Sequence, residues 1–436
     1  MTGKDEHTGP TAGEDNERAD EIIGLVFLRS IVAVGILATV ALGTYLWTTR
    51  ETPAVAIRDS RVPDLVPLLD RRNDLPVPAL PFFDVTTAAG IRFRHQNGAR
   101  GEHLLPETMG GGVAVFDYDR DGDADLLFVD SGPWPDQPNY ASWNGSLNLY
   151  RNDGAWRFVE VTREAGLHDV RAYGMGVAVG DADGDGWSDL LLTAVGPNHF
   201  FRNMKGVFHD ITSTAGLAGE ADVWSSSAGF FDADRDGDLD LFVTNYVQWS
   251  RARDFELDYR LDGVGRAYGP PTNFPGQQNY FYRNLGDGRF EDISADAGIH
   301  VSNDDGFAIG KGLGLITEDI DQDGWIDVMV ANDTVRNFVF HNRAGKDFEE
   351  VGESWGLAYD RNGLATGAMG IDLAEPYSDG RVAIAIGNFA NEMTSMYVRQ
   401  TPVLQFADES MVAGIGPESR RALSFGVLFA DVDLDG

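Results

Sequence analysis

The chain repeats one arrangement of apolar and polar residues along most of its length. An apolar run such as Gly112–Phe116 leads into alternating aspartates, and a second apolar run such as Leu126–Val129 follows them. Short apolar runs bounded by glycine-rich turns are typical of buried strands. The pattern therefore predicts pairs of short strands, each pair joined by an acidic loop.

The acidic loop has the form D-x-D-x-D-G-x-x-D. Complete copies begin at Asp117, Asp181, Asp232 and Asp319. A fifth copy, from Glu375, is degenerate because Tyr377 and Ala383 replace two of its acids. A sixth copy begins at Asp431 and is cut short at Gly436. Self-similarity of this kind predicts a repeat architecture.

A second motif alternates with the acidic loop. It extends from Asn148 to Leu167 and contains the sequences L-Y-R-N, D-G and A-G-L. Its other copies, the last two of them weaker, are Asn198–Leu217, Asn279–Ile299, Asn337–Leu357, Phe82–Ile91 and Phe406–Ile415. The two motifs together predict about four short strands in each repeat.

Four-stranded repeats of about 40–50 residues plus insertions are typical of β-propellers. We therefore predict an all-β fold, with a propeller over residues 81–436 that is incomplete in this chain. A solenoid of helix pairs is disfavoured, because no apolar stripe of period 3.6 spans the repeats. The third repeat contains an insertion rich in aromatic residues and prolines, Val247–Gln278. This insertion is the best candidate for a recognition surface, since ligand contacts on rigid scaffolds concentrate in loops.

The acidic loops have the chemistry of a metal site. Carboxylates at loop positions 1, 3 and 5 converge if the chain curls tightly, which the glycine at position 6 permits. Position 7 can offer its backbone carbonyl, and position 9 supplies a last acid. Carboxylates held so close together repel one another unless a cation lies among them, and an all-oxygen ligand set suits Ca²⁺. The predicted ligands are Asp117, Asp119, Asp121, Asp123, Asp125, Asp181, Asp183, Asp185, Trp187, Asp189, Asp232, Asp234, Asp236, Asp238, Asp240, Asp319, Asp321, Asp323, Trp325, Asp327, Asp431, Asp433 and Asp435.

The alternative for these loops is a set of solvated Asp-Gly turns that bind nothing. Four complete copies in register favour the metal interpretation, with about four full Ca²⁺ sites that staple the fold. The loop is not an EF-hand, which needs a glutamate at position 12 and flanking helices. Sites of the extracellular type bind Ca²⁺ at about 10⁻⁴–10⁻³ M, so we expect the propeller on the extracytoplasmic side.

The N-terminal region predicts a membrane anchor. Residues 1–21 form a polar tail, and residues 22–48 are apolar apart from small polar residues and Arg29. A bilayer span needs about 20 apolar residues, so one uncleaved transmembrane helix fits this segment. A cleaved signal peptide ending near Ala54–Ala56 and a buried soluble helix are the alternatives. Residues 49–80 are proline-rich and predict a semi-extended linker. The flanking charges are nearly balanced, so the orientation is taken from the metal argument.

The composition of the chain excludes or disfavours several classes of function. The chain has 34 basic against 69 acidic residues and a formal net charge of −35. This balance disfavours nucleic acid as a partner, because phosphate binding needs fields of Lys and Arg. The sequence has no cysteine, which excludes disulfides, thiolate metal sites and cysteine nucleophiles. It also lacks the H-E-x-x-H, G-x-S-x-G, Walker and Rossmann motifs.

Two further groups of residues have chemistry to weigh. His95 and His103 near Glu107 could form a small acid/base group, although a hydrogen-bonded role in closing a blade explains them as well. Several tryptophans could stack on sugars, although propellers also bury aromatic residues in their blades. These tryptophans are Trp143, Trp156, Trp224, Trp249 and Trp355.

Particular short motifs accompany the repeats. They are Phe93–His95, Pro106–Gly112, Tyr173–Gly176, Trp224–Ala228, Gly312–Gly314, Val330–Asp333 and Ala368–Gly370. With the repeats, they resemble the FG-GAP/VCBS repeats of integrin-like propellers and, more closely, the cartilage-acidic-protein-like (ASPIC/UnbV) family. The resemblance implies calcium loops in a propeller of about seven blades and an exported location. It also implies a C-terminal ASPIC/UnbV segment, which this chain lacks. A Cys-Pro pair that the family often has is replaced here by Tyr268–Pro271.

These features together predict a binding protein more readily than an enzyme. The leading hypothesis is a membrane-anchored, extracytoplasmic, Ca²⁺-stabilised propeller that acts as a binding or adhesion module for protein or carbohydrate. The alternative is a calcium-assisted carbohydrate-active enzyme, a lyase or hydrolase, which would need an open coordination position and a nearby base. A purely structural stalk is a third possibility.

Overall fold

Each predicted repeat folds into one four-stranded antiparallel sheet. The computed structural model describes residues 82–400 and 402–432, and five such sheets follow one another along this part of the chain. Within each sheet the four strands lie side by side in the order in which they occur in the sequence. The prediction of an all-β fold is therefore confirmed.

The strands have the following bounds. The first sheet consists of β1 (Val113–Phe116), β2 (Asp125–Val129), β3 (Leu147–Asn152) and β4 (Phe158–Glu160). The second consists of β5 (Tyr173–Gly180), β6 (Asp189–Val195), β7 (His199–Asn203) and β8 (Phe208–Asp210). The third begins with β9 (Ser225–Phe231) and β10 (Asp240–Asn245), is interrupted by a small hairpin, β11 (Arg260–Leu261) and β12 (Gly265–Arg266), and ends with β13 (Tyr280–Asn284) and β14 (Phe290–Asp292). The fourth consists of β15 (Gly312–Glu318), β16 (Asp327–Asn332), β17 (Phe338–Asn342) and β18 (Phe348–Glu350). The fifth consists of β19 (Ala368–Ala374), β20 (Ala383–Asn388), β21 (Ser395–Gln400) and β22 (Gln405–Asp408).

Helices in the described part of the chain are short and lie before, between and after the strands. The α-helices are α1 (Thr212–Ala215), α2 (Arg251–Leu257), α3 (Gly352–Trp355) and α4 (Ile415–Ser419). Single 3₁₀ turns occur at Leu105–Thr108, Tyr140–Ser142 and Pro271–Asn273. Only α2 reaches two turns, and it belongs to the insertion of the third repeat.

The first strands of successive sheets pack against one another. Strand β1 contacts β5, β5 contacts β9, β9 contacts β15, and β15 contacts β19. Their backbones come so close that a Cβ atom at Gly176 would lie 2.6 Å from the carbonyl oxygen of Ser226. Glycine is therefore required at this position by space rather than by backbone angle. Sheets that meet through their innermost strands in this way fit a propeller-like fold.

The second motif clamps the second, third and fourth sheets to the sheet that precedes each of them. The side-chain amide of the asparagine that ends the third strand donates to a backbone carbonyl in the preceding acidic loop: Asn203 to Tyr118 at 2.8 Å, and Asn284 to Ala182 at 2.7 Å. At the outer edge, the backbone N–H of Phe208 donates to Ala165 at 2.8 Å. The acidic motif of the sequence therefore forms the loop between the first and second strands, and the second motif forms the contacts that join neighbouring sheets.

Apolar side chains fill the spaces between sheets. Leu127, Leu149, Leu190 and Phe201, from the first and second sheets, lie in one buried cluster. Burial of each such side chain contributes roughly 1.5–3 kcal/mol. The period-two alternation of the strands directs these residues to the faces where sheets meet.

The sixth repeat begins as the pattern predicts. A Cβ atom at Gly314 would meet the backbone of Met369 in β19, and one at Gly370 would meet the backbone of Phe425 in the same way. The backbone N–H of Phe429 also donates to Asp372 Oδ2 at 2.6 Å. Residues 425–429 thus take the place beside β19 that β19 takes beside β15.

Residues Phe83–Gly436 form one compact unit, separate from Met1–Phe82. Within the described part of the chain, no helix has the length and apolarity needed to span a bilayer. The predicted tail at 1–21, membrane helix at 22–48 and linker at 49–80 lie outside the described residues, and so do Asp433 and Asp435.

Candidate metal centres

Each complete acidic loop joins the first strand of a sheet to its second strand. The four loops share one backbone form, in which positions 4 and 6 both have positive φ. In the first loop these are Arg120 at 61° and Gly122 at 94°, and in the third they are Arg235 at 63° and Gly237 at 96°. The glycine at position 6 was predicted from sequence. The left-handed residue at position 4 was not, because arginine and glutamine at that place have no special preference for it.

Backbone N–H groups hold the carboxylates of the loop inward. In the fourth loop, Asp319 accepts from the N–H of Asp323 at 2.9 Å and of Gly324 at 2.8 Å. In the same loop, Asp323 accepts from the N–H of Trp325 at 2.8 Å. The second loop repeats two of these contacts, with Asp181 accepting from Gly186 at 2.8 Å and Asp185 accepting from Trp187 at 2.9 Å. The tight curl is thus fixed by the loop's own hydrogen bonds.

This curl brings carboxylates together in all four complete loops. In each group, one ligand atom from every member lies within 4.8 Å of the others. The groups are Asp117, Asp119 and Asp125; Asp181, Asp183 and Asp189; Asp232, Asp234 and Asp236; and Asp319, Asp321 and Asp323. Positions 1 and 3 converge in every loop, while the third member is position 9 in the first two loops and position 5 in the last two.

Several of these oxygens are buried with no hydrogen-bond partner. They are Oδ1 of Asp119, Oδ1 of Asp181 and Oδ1 of Asp232. Burial, reinforced by the neighbouring carboxylates, raises the pKa of Asp119 and Asp234 above the ordinary value. Unpartnered, partly desolvated carboxylate oxygens that face one another fit a hard cation as their missing partner. The residues present therefore pass the test for a metal site.

The position-9 aspartates have a second role that sequence reasoning missed. Asp125, Asp189, Asp240 and Asp327 are only 0–4% exposed. Each accepts two backbone hydrogen bonds, one from the end of the third strand and one from loop position 2. For Asp240 the donors are Asn284 at 2.8 Å and Ala233 at 3.3 Å. Burial raises the pKa of Asp189 to about 7 and that of Asp125 to about 6.

The remaining predicted ligands divide by position. Asp121 and Asp185, at position 5, lie outside the convergent groups of their loops, although each accepts from the position-7 N–H at 2.9 Å. The carboxylates of Asp123 and Asp238 belong to no convergent group, while the backbone carbonyl of position 7 stays a predicted ligand in all four loops, at Asp123, Trp187, Asp238 and Trp325. Asp431 also joins no such group among the described residues.

The fourth loop recruits a histidine that the sequence analysis did not select. His341 Nδ1 lies 3.2 Å from Asp327 Oδ1 and 3.6 Å from Asp321 Oδ2. The residue at this place in the second repeat is Arg202, whose guanidinium pairs with Asp183 and lies 3.6 Å from Asp185. The L-Y-R-N motif could have indicated these contacts, because its basic residue directly precedes the asparagine that joins neighbouring sheets.

Neighbouring acidic loops also contact one another. The guanidinium of Arg120 lies 5.5 Å from the ring centre of Trp187, and that of Arg235 lies 4.1 Å from the ring centre of Trp325. In both pairs, position 4 of one loop stacks on position 7 of the next. These cation–π contacts place the candidate metal centres in one row along the same end of the sheets.

The degenerate fifth loop forms no convergent acidic group among the described residues. Its Arg381 lies 2.8 Å from Asp379 and its guanidinium is 4.4 Å from the ring centre of Tyr377. The loop thus pairs an arginine of its own with one of its acids, whereas Arg120 and Arg235 of the complete loops stack on a tryptophan of the next loop.

The other candidates from sequence are mainly packing residues. Of the five tryptophans considered as a sugar platform, four are at most 8% exposed, and only Trp156, at 69%, is on the surface. Glu107 is 3% exposed and accepts from Trp134 Nε1 and Tyr268 Oη, each at 3.3 Å. His95 instead lies 3.1 Å from Ser131 Oγ. His103 packs edge-on against Tyr268, with 5.0 Å between ring centres, so His103 and Glu107 contact the same tyrosine while His95 contacts Ser131.

The predicted insertion lies at the opposite end of the sheets from the acidic loops. It connects β10 to β13, and its Asp254 accepts from the backbone of Leu105 at 2.9 Å and from Trp249 Nε1 at 2.7 Å. Trp249 stacks on Trp134, which belongs to the β2–β3 connection, with 5.8 Å between ring centres. Two long connections therefore meet at this end of the molecule.

Comparison with known proteins agrees with the repeat structure. A model of the FG-GAP-like repeat matches residues 139–192 and 182–243. Cartilage acidic protein 1 of Xenopus tropicalis is 24% identical over 277 residues, which cover 52% of this chain and 40% of the relative. The human protein of the same name is 24% identical over 311 residues, covering 65% of this chain and 40% of the relative. This chain thus spans well under half the length of these relatives.

Among solved structures, a lectin of Agrocybe aegerita, described as recognising non-reducing terminal N-acetylglucosamine, is similar with a TM-score of 0.38 and 16% identity. The match covers 69% of this chain and 65% of the lectin, and a score this low bears on neither fold nor function. The sequence comparisons carry the assignment: this chain contains FG-GAP-like repeats and has cartilage acidic protein 1 among its distant relatives, as its motifs indicated.

Proposed function

We propose that this chain is a membrane-anchored, Ca²⁺-stabilised propeller that works outside the cytoplasm as a binding or adhesion module. The observation that carries the proposal is the convergence of buried, unpartnered carboxylate oxygens in loops of identical form. Four copies of one geometry are expected for staples. A catalytic metal would need only one copy, with a base beside it.

Calcium is the ion that best suits these loops. The ligands in the first three groups are carboxylates alone, and Ca²⁺ accepts such oxygen sets with flexible geometry. Asp117 and Asp119 with Asp125 would hold the ion in the first loop, and positions 1, 3 and 9 would do so in the second. In the third and fourth loops, positions 1, 3 and 5 would hold it. The ion would offset the mutual repulsion of these carboxylates and so hold the β1–β2 type hairpins closed.

The location follows from the same chemistry. Sites that bind Ca²⁺ at about 10⁻⁴–10⁻³ M fill outside the cytoplasm but not within it. The apolar segment at residues 22–48 would anchor the chain in the membrane, and residues 49–80 would hold the propeller away from it. The ligand would bind at the end of the sheets opposite the acidic loops, where the long connections of the first and third sheets meet.

The metal part of the proposal is tested with purified full-length chain in detergent. Titration of Ca²⁺ in a calorimeter should give saturable heat, and the melting temperature should rise with Ca²⁺ and fall with chelator. Terbium bound in place of calcium should emit on tryptophan excitation, and replacing Trp187 and Trp325 with phenylalanine should dim that emission. Trp156→Phe, at an exposed position in the β3–β4 turn, is the control. Absence of both heat and emission contradicts the proposal.

The location is tested separately from the metal. The full chain, synthesised into sealed membrane vesicles, should be retained by carbonate extraction. A variant with several charged residues in segment 22–48 should be released instead. Protease added from outside the vesicles should leave residues 83–436 protected if that part has crossed the membrane. Full digestion by external protease contradicts the proposed side.

A further inference from the structure

We propose that a cavity beside the first sheet binds an acidic saccharide, through a carboxylate or a sulfate group on the sugar. This inference rests on the proposed binding function and names the class of ligand. The cavity has a volume of about 610 Å³, within the range of about 300–1,000 Å³ usual for small-ligand sites. It lies between the segment around Arg92 and the β2–β3 connection.

Three arginines line this cavity. They are Arg92, Arg94 and Arg163, and none of them forms an ion pair with any carboxylate of the described residues. Most carboxylates of this chain lie elsewhere, and its net charge is −35. Guanidinium groups recognise carboxylate and sulfate oxygens through two parallel N–H donors. Three such groups left free around one cavity point to an anion as their partner.

The acids of the cavity do not neutralise these arginines. Asp130 is 3% exposed, and its carboxylate already accepts from the Gln96 backbone at 2.5 Å and from Trp143 Nε1 at 3.1 Å. Glu160 accepts from the backbone N–H of Thr162 at 3.1 Å. Two carboxylates engaged in hydrogen bonds thus face three free guanidiniums, so the site has a positive balance.

The cavity extends along the first sheet. It borders the connection from β2 to β3, at the end of β2 opposite the acidic loop, and it reaches Tyr150 and Glu160, which are level with Leu126 in the sheet.

The neutral groups of the cavity favour a sugar over an acidic peptide. Asn139, Asn144, Asn148 and Ser142 line it and offer hydrogen-bond donors and acceptors together, as the hydroxyl groups of a sugar require. The buried Nδ1 of His168 has no hydrogen-bond partner and adds one more polar atom to this lining. A half-open cavity with exposed arginines at its border suits one or two sugar rings, whereas a peptide would need an extended groove or a free strand edge.

The test uses the full chain in detergent and a set of defined disaccharides. The probes are a disaccharide containing glucuronic acid, its methyl ester, an uncharged disaccharide and the sulfated form of that disaccharide. Isothermal titration should show binding of the glucuronate, the sulfate or both, with the ester and the uncharged sugar at least about tenfold weaker, which is about 1.4 kcal/mol. The two acidic probes distinguish a carboxylate source from a sulfate source.

Variants locate the site. Arg94→Gln combined with Arg163→Gln should weaken binding of the acidic probe about tenfold or more. The matched control is Arg157→Gln, an exposed arginine of the same sheet near the acidic loop, which should change the affinity less than twofold. Equal binding of acid and ester, equal effects of the two sets of variants, or binding of a glutamate-rich peptide without any acidic sugar would overturn the inference.

The same samples separate this inference from the proposed metal role. Their melting temperatures are measured with Ca²⁺ and with chelator. A calcium-dependent shift without sugar binding refutes the saccharide site and leaves the stabilised propeller intact. Sugar binding without a calcium effect refutes the metal role and leaves the saccharide site. Retention of the wild-type melting temperature shows that the arginine variants are folded.

Discussion

The fourth and fifth acidic loops are neighbours that meet the same electrostatic need differently. The fourth gathers Asp319, Asp321 and Asp323 around one point and supplies no cation except through His341 at its border. The fifth has lost two acids and places Arg381 between Asp379 and the ring of Tyr377. The comparison teaches that acids converge where the loop keeps its full set, whereas the loop with two acids fewer pairs an aspartate with an arginine instead.

The comparison extends to loop position 9. In the fourth loop, Asp327 accepts from the backbone of Asn342 at 2.8 Å and of Ile320 at 3.2 Å, and so joins loop and third strand. The fifth loop has Ala383 at this place. There, a backbone hydrogen bond from Arg399 to Val382 at 3.0 Å links the strands instead. Position 9 therefore matters to the fold whether or not a metal is bound.

The largest effect is expected from Asp240→Ala. The substitution leaves the buried N–H groups of Asn284 and Ala233 without an acceptor, and each such group costs about 1–3 kcal/mol. We expect the free energy of unfolding to fall by about 2–6 kcal/mol, both in calcium and in chelator. Urea denaturation measures it, with Asp238→Ala in the same loop as the control. A loss seen only in calcium would mean that position 9 acts through the metal alone.

A smaller and conditional effect is expected from Asp232→Ala. This position-1 carboxylate has a buried oxygen without a partner, so its removal should matter mainly when the ion is present. Its other oxygen accepts from the exposed N–H of Gly237 at 3.2 Å, a contact that water can replace. With Ca²⁺ at 100 times its dissociation constant, one lost site costs about 2.7 kcal/mol. In chelator the variant should match or exceed the wild type, since one repelling charge is gone. An equal loss in both solutions, measured by thermal unfolding, would contradict the metal assignment.

The free energy of unfolding should depend on pH with opposite signs in chelator and in calcium. Burial raises the pKa of Asp189 to about 7 and of Asp125 to about 6, well above the value of an unfolded aspartate. In chelator, protonated carboxylates therefore favour the folded state, and stability should fall as the pH rises from about 4 to 7. In calcium the slope should be opposite, because protons compete with the ion. Denaturation at a series of pH values measures both slopes. Slopes of the same sign in calcium and in chelator would contradict the prediction.

The smallest effect is expected in the fifth loop. Arg381→Met removes one partly exposed ion pair and one cation–π contact, which together are worth about 0.5–1 kcal/mol. The loss should be the same in calcium and in chelator, in contrast to Asp232→Ala. Arg421→Met, at an exposed position, is the control. A calcium-dependent loss would show that the fifth loop still binds metal.

Much of this architecture could be predicted from sequence because its signals are local. The period-two runs predicted the strands, and Gly122 with its equivalents predicted the tight curl of the loops. The convergence of positions 1 and 3 follows from that curl within nine residues of chain. The degenerate fifth loop was also visible, since Tyr377 and Ala383 stand where acids are expected.

Other features could not be predicted because they join residues far apart in the chain. Asn203 binds the carbonyl of Tyr118, 85 residues earlier, and no local pattern states which carbonyl it will meet. The burial of Trp224 and the contact of Trp134 with Trp249 depend on how long connections fold over the sheets. Position 7 was assigned to the metal through its backbone carbonyl, from loop chemistry alone, and this assignment stays a prediction.

The sequence by itself determined the repeat, the strands and the chemistry of each loop, because backbone preferences and alternating polarity act between near neighbours. Tertiary structure decided that the position-9 aspartates bridge strand and loop, that His341 borders the fourth group and that Arg92, Arg94 and Arg163 surround one cavity. These outcomes depend on the register and packing of whole sheets. Burial and the distance between side chains are properties of that packing, and no single stretch of chain encodes them.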